Sequence, residues 1–236
     1  MKKVNYFSTI GFDGATNEEY LPADYAIPPK KWIGEQGKDY FHNKCPAWKE
    51  WGKNTWIIYQ PFDIEFEYVS EEKIIITNLT QESFDTYFWL QKHWLDGELP
   101  TVQLVNPYLF WTNEKDVWVE QTAHPLISRY WLEVVPGTFP ISVWQRPLLF
   151  GFKILDFDVN IKLPKGTPLY YIRFYSQKSD SVFDLKKNFP PEDVMRSQRQ
   201  NTRLKEFDRF GSWDLIKERI QEESKCPFNF LRRKWD

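Results

Sequence analysis

Phe62-Asp63-Ile64-Glu65-Phe66-Glu67-Tyr68 alternates apolar and acidic side chains, residue by residue. A period of two marks a strand with one buried and one wet face. Segments of similar length, rich in β-branched and aromatic residues, recur at 73–78, 84–90, 101–105, 108–112, 116–120, 130–135, 149–155, 158–163 and 169–175. Asn113-Glu114-Lys115 and Pro164-Lys165-Gly166-Thr167 predict hairpin turns, with Gly166 placed to take a positive φ. No helical pattern alternates with these strands, which disfavours a βαβ fold. Residues 55–176 therefore predict a mainly β domain, an antiparallel β-sandwich or jelly roll of cupin-like type.

The flanks differ in character. Residues 1–54 carry Tyr20-Leu21-Pro22, Ile27-Pro28-Pro29 and Cys45-Pro46 and hold no sustained period, so they predict an extended arm with loops. Trp32, Trp48 and Trp51 predict that this arm is pinned by aromatic anchors. In residues 177–236 basic residues outnumber acidic ones. There Pro190-Pro191-Glu192-Asp193 predicts a helix start, closing before Gly211. Ser212 caps a second helix, with Trp213, Ile216 and Ile220 on one face and Pro227 beyond its end. This helical appendage is expected to cover the barrel or a neighbouring subunit.

Composition bounds the function. Of 236 residues, 42% are hydrophobic, which excludes a disordered chain, and 18% are aromatic, including 12 Trp. A net charge of −2, with a β region more acidic than basic, argues against nucleic acid as a partner. The longest uncharged stretch, 99–113, is broken by Pro100 and Pro107, so no membrane-spanning helix is expected. Acids follow the N-terminal lysines too soon for a secretory signal, and two cysteines, Cys45 and Cys226, suit a reducing compartment. A cytoplasmic protein is the expectation.

Catalytic motifs are sparse. There is no G-x-S-x-G, no phosphate loop and no H-x-H pair. A metal centre would have to gather His42, His93 and His124 from distant positions; the default reading is no metal and no cofactor. The tryptophans of the β region are either core or stacking platforms. Among them Trp111, Trp118 and Trp144 are candidate ligand-binding residues, together with Arg146, whose charge is isolated in the apolar run 139–152. Such an arginine is either paired with a carboxylate (Glu120, Glu133 or Asp156) or aimed at an anionic ligand.

Several of these stretches carry a resemblance. They are Lys53–Ile64 (KNTWIIYQPFDI), Pro107–Thr112 (PYLFWT), Trp144–Pro147 (WQRP) and Ile161–Phe174 (IKLPKGTPLYYIRF). Together they resemble an uncharacterised family of tailed bacteriophages, notably marine ones, and some bacteria, over residues 45–175. The family brings no established catalytic residues. The last of these segments, 161–174, is also similar to the closing strands of jelly-roll and trimeric dUTPase-like barrels, although the nucleotide motifs of dUTPases are otherwise missing. The function expected is a non-enzymatic, phage-encoded binding protein whose aromatic-rich sandwich acts on a host factor or assembly. The alternatives are a cupin-like metal-dependent enzyme and a carbohydrate-binding module. A protein partner, a glycan or a second copy of the chain are the partners left open.

Overall fold

Strands with one wet face advertise themselves by alternation, whereas strands covered on both faces do not. Both kinds occur in the computed structural model, which describes residues 1–8, 27–32, 44–69, 74–80, 88–90, 101–145, 147–156, 159–207 and 211–225. The first sheet contains β1 (Lys2–Ser8), β6 (Phe88–Leu90), β7 (Thr101–Trp111), β9 (Leu132–Val134), β11 (Pro147–Ile154) and β14 (Phe183–Lys187). Its order is β14-β1-β7-β11-β9, with β6 also on β7, and only the β1–β14 pair is parallel. The second sheet runs β10 (Gly137–Phe139), β8 (Trp118–Ala123), β13 (Pro168–Tyr175), β3 (Thr55–Tyr59) and β2 (Lys30–Lys31), all antiparallel. A small third sheet orders β12 (Ile161–Leu163), β4 (Ile64–Val69) and β5 (Ile74–Thr77). The fold is thus mainly β and dominated by antiparallel sheets, as the alternation predicts.

The core lies between the two larger sheets. Val4, Tyr6, Tyr108 and Phe110 from the first meet Trp56, Ile58, Tyr170, Ile172 and Phe174 from the second. Rings touch across the interface, Phe110 and Phe174 at 5.6 Å between centroids. The alternating strand β4 sends Ile64, Phe66 and Tyr68 into this core, while Glu65 pairs with Lys162 of β12 at 3.0 Å.

The outer face of β3 and β13 is also covered. A short helix, α1 (Pro46–Gly52), sets Trp48 and Trp51 against Trp32, Ile57, Tyr59 and Tyr171. Trp48 and Trp51 stack at 5.6 Å, and Trp51 meets Tyr171 edge-on at 5.1 Å. This is the anchoring that three tryptophans in the arm predict.

Several expectations give way to the geometry. The candidates 101–105 and 108–112 merge into one strand, β7, which runs on through Pro107; its register with β11 shifts there, where the ladder lacks an N–H. The turns 113–115 and 164–167 are not hairpins: β7 and β8, like β12 and β13, belong to different sheets. Gly166 does take φ +87°, and Thr167 N–H donates to Pro164 O at 3.1 Å. The sheets also draw on both flanks, since β1 and β2 lie before residue 55 and β14 lies after residue 176.

Two helices follow, α2 (Glu192–Phe207) and α3 (Gly211–Lys225); the first starts at the Pro-Pro-Glu-Asp signal and closes before Gly211, while the second already begins at Gly211, so Ser212 lies in its first turn rather than capping it. Val194 of α2 packs on Leu109 and Trp111, so this helix covers part of the outer face of the first sheet. Among the described residues no helix is long and apolar enough to cross a membrane.

Candidate functional site

Asp116 stands in the turn leaving β7 with φ 52°, a left-handed conformation that Asp adopts more readily than most residues. Its carboxylate accepts a hydrogen bond from Ser176 Oγ, one from Lys178 N–H at 2.9 Å and one from Trp118 Nε1 at 3.2 Å. Burial pushes the Asp116 carboxyl up, but the bonds from Ser176, the Lys178 and Gln177 amides and Trp118 outweigh it and hold the group below its usual range. Asp116 therefore pins the start of the loop 176–181 as an anion.

Asn54 pins the other end. Its Nδ2 donates to Ser181 O at 2.8 Å, its Oδ1 accepts from Phe183 N–H at 3.0 Å, and its carbonyl accepts from Phe174 N–H at 3.0 Å. Between these clamps the serines form a row: Ser179 Oγ donates to Ser176 Oγ at 3.1 Å and lies 2.8 Å from Ser181 Oγ.

The loop overhangs an open cleft of about 600 Å³ lined by Asn54, Glu120, Arg173, Tyr175 and residues 176–181. Arg173 and Glu120 are cross-strand partners of β13 and β8. Their closest N–O distance is 3.6 Å, an ion pair without a hydrogen bond, and Arg173 Nε is buried without a partner. Each side chain is a little more than one-third exposed, so the pair is screened. Burial raises the Tyr175 phenol. One arginine, one lysine, one glutamate and one aspartate balance in charge around a row of hydroxyls. Such walls suit a polar or zwitterionic segment better than a strongly charged one.

Asp116→Asn keeps the side-chain shape and the tolerance of a left-handed backbone but removes the charge. Because the folded pKa is depressed, the stabilisation is complete above the unfolded value of about 3.9 and is lost as pH falls through the folded one. The variant is expected to lose about 1 kcal/mol at neutral pH after screening and to match wild type in acid, once pH has fallen through the folded value. Urea melts at the two pH values check this; a gap that persists in acid would assign the effect to shape instead.

The residues singled out from the sequence fall in separate places. Trp118 is buried behind the cleft wall, where it bonds Asp116 and stacks on Tyr175 at 6.4 Å. Trp111 is buried beneath α2. Trp144 is buried with the Arg219 guanidinium 5.5 Å over its ring. The three thus do not share a stacking face. Their apolar area is spent on packing, the commoner fate of large rings in a β core. His124 caps a 3-10 turn (Pro125–Tyr130), its Nδ1 accepting from Leu126 N–H at 3.2 Å, and its ring lies 4.8 Å from Tyr171. Arg146, His42 and His93 lie outside the described residues. Among the described residues no three His, Cys, Asp or Glu side chains are grouped to hold a metal ion.

The sequence reading missed Asn54, Asp116, Arg173 and the serine row. Only the Ser/Asp-rich string 176–181 hinted at a structured loop; the pairing of Arg173 with Glu120 is a matter of strand register.

No family model matches the chain, and no curated protein matches it. Among solved structures it is similar to a native EIAV dUTPase, at 10% identity and a TM-score of 0.35, over 80% of this chain and 96% of that one.

Proposed function

We propose that this chain is a non-enzymatic binding protein that engages a host factor or an assembly partner through the cleft under the loop 176–181. The observation that carries this reading is the cleft itself: a charge-balanced set of donors and acceptors held between two fixed anchors, Asn54 and Asp116. Preorganised polar groups lower the ordering cost of binding. The contact runs through polar groups, since Trp111, Trp118 and Trp144 are buried. The resemblance of residues 45–175 to a phage family supports the finer parts of the reading: phage encoding, a jelly-roll arrangement and a place of action in the host cytoplasm.

Ser179→Trp tests it by filling the cleft from an exposed position on the loop. Wild-type protein immobilised in host lysate should retain a saturable partner, and the variant should retain at least about tenfold less at an unchanged melting temperature. Equal capture by both proteins removes the cleft from the reading. Saturable turnover of a small molecule by the wild type, abolished in the variant, would make the cleft an active site.

A further inference from the structure

Trp131 is 51% exposed, while every other tryptophan whose side chain is described is buried or half-buried. Its backbone is left-handed, φ 57° and ψ 32°, at the end of the 3-10 turn. Glycine or asparagine fits that position best, because a Cβ crowds the following carbonyl. The conformation is held from both sides: Trp131 N–H donates to Ser128 O at 3.1 Å, and Trp131 O accepts from Leu155 N–H at 2.8 Å. A large ring is thus presented to solvent from a clamped, unfavourable backbone, the kind of outlier that points to a ligand.

The surroundings say which ligand. In β9 and β11, Leu132, Val134, Phe152 and Ile154 face the core, so Trp131, Glu133, Lys153 and Leu155 lie on the outer face. Register sets Glu133 opposite Lys153, and Lys153 opposite Thr101 of β7. One row further, Gly151 stands opposite Gln103, with the half-buried Val135 side chain beside it, 3.5 Å from where a Cβ would sit. Among the described residues no side-chain hydrogen bond or ion pair engages Glu133, Lys153, Thr101 or Gln103. Beyond Gln103 the register places Trp89 of β6.

This is a small apolar plate bordered by uncommitted donors and acceptors. Trp131 exposes about half of an aromatic side chain's 150–250 Å². Even with Leu155, 41% exposed, the plate falls far short of the roughly 800 Å² each partner gives to a stable protein interface. Adjacent strands about 4.8 Å apart and same-face residues about 6.7 Å apart instead outline one sugar ring. We infer that the outer face of β9, β11 and β7 is a carbohydrate-binding surface. There the indole of Trp131 stacks on the apolar face of one pyranose in a neutral oligosaccharide, while Glu133 and Lys153 bond the hydroxyls of that ring and Thr101 and Gln103, further along the face, those of its neighbours. The site is on the opposite sheet from the cleft and stands apart from the function proposed there.

The probes are maltohexaose, cellohexaose, xylohexaose and chitohexaose at millimolar concentration, read by acrylamide quenching of tryptophan fluorescence. Emission lost in Trp131→Gly identifies the Trp131 signal. At least one oligosaccharide should protect that signal saturably. Trp131→Gly should weaken binding of that sugar by at least about tenfold, as truncating an aromatic anchor does, without lowering the melting temperature. Trp131→Phe should keep partial binding. No saturable protection with any of the four, or binding by the glycine variant within about twofold of wild type, overturns the site. A lower melting temperature in the glycine variant would show the ring to be packed rather than presented, and overturns it as well.

Discussion

Phe174→Ala is expected to lower the unfolding free energy by about 3–5 kcal/mol, the largest effect of any single substitution considered for this protein. Phe174 is fully buried on β13. Its ring meets Trp56 of β3 at 5.4 Å, Phe110 of β7 at 5.6 Å and Phe183 of β14 at 6.3 Å. One side chain thus joins neighbouring strands of the second sheet to β7 and β14 of the first. Removing it leaves a void bounded by rings that are themselves held by backbone ladders, so collapse around the site is limited. Against a typical stability of about 5–15 kcal/mol, the loss is a large fraction of the total. Urea titration of wild type, Phe174→Leu and Phe174→Ala measures it. The leucine variant, which keeps most of the volume, should lose clearly less, and an alanine loss below about 1.5 kcal/mol would mean that the two sheets close over the gap.

Asn201→Ala is the second large effect, expected at about 2–3 kcal/mol. Asn201 is fully buried where α2, α3 and the turn 141–145 converge. Its Nδ2 donates to Gln145 O at 3.0 Å and to Ser197 Oγ at 3.3 Å, while its Oδ1 accepts from Arg219 at 2.9 Å. Arg219 also donates to Val143 O at 3.3 Å and lies over Trp144. Ser197 Oγ donates to Gln145 Oε1 at 2.8 Å. Alanine leaves the Gln145 carbonyl short of a donor and the Arg219 guanidinium short of an acceptor, in a site with little water to replace either. The consequence is local as well as global. Limited trypsin digestion should cut within α2 and α3 much faster in the variant, with the sheets released intact. Uniform acceleration of cleavage throughout the chain would show that the helices are not a separable unit.

Both effects arise from contacts that are only partly written in the sequence. The alternation of 62–68 is visible because β4 has a wet face with Glu65 and Glu67 on it. The neighbouring strand β3, Thr-Trp-Ile-Ile-Tyr, is buried at all five positions, and so no alternation exists to be read. β1 and β14 escape detection for a different reason. β1 pairs with β14, about 180 residues later, and with β7, about a hundred residues later, and short charged segments such as Lys-Lys-Val and Asp-Leu-Lys-Lys become strands only when that ladder forms. The helix start at Pro190–Asp193 needs no such partner, being a matter of backbone geometry and charge within one turn.

The same division runs through the candidate sites. That aromatic mass would dominate this protein was legible in its composition; which rings end up outside was not. Trp111, Trp118 and Trp144 lie under a helix, behind a loop and under an arginine. Trp131 lies on the outer face, in a left-handed conformation at the end of the 3-10 turn. By itself the sequence determined the mainly β class, the place of the two C-terminal helices, the positive φ at Gly166 and the aromatic anchoring of the arm. Each of these rests on interactions within a few residues or on the bulk burial of apolar area. Strand order, the joining of β7 across Pro107, the opposition of Arg173 and Glu120 and the exposure of Trp131 were decided only by the tertiary structure. They depend on register between strands distant in the chain, where a shift of one residue exchanges the buried and exposed faces.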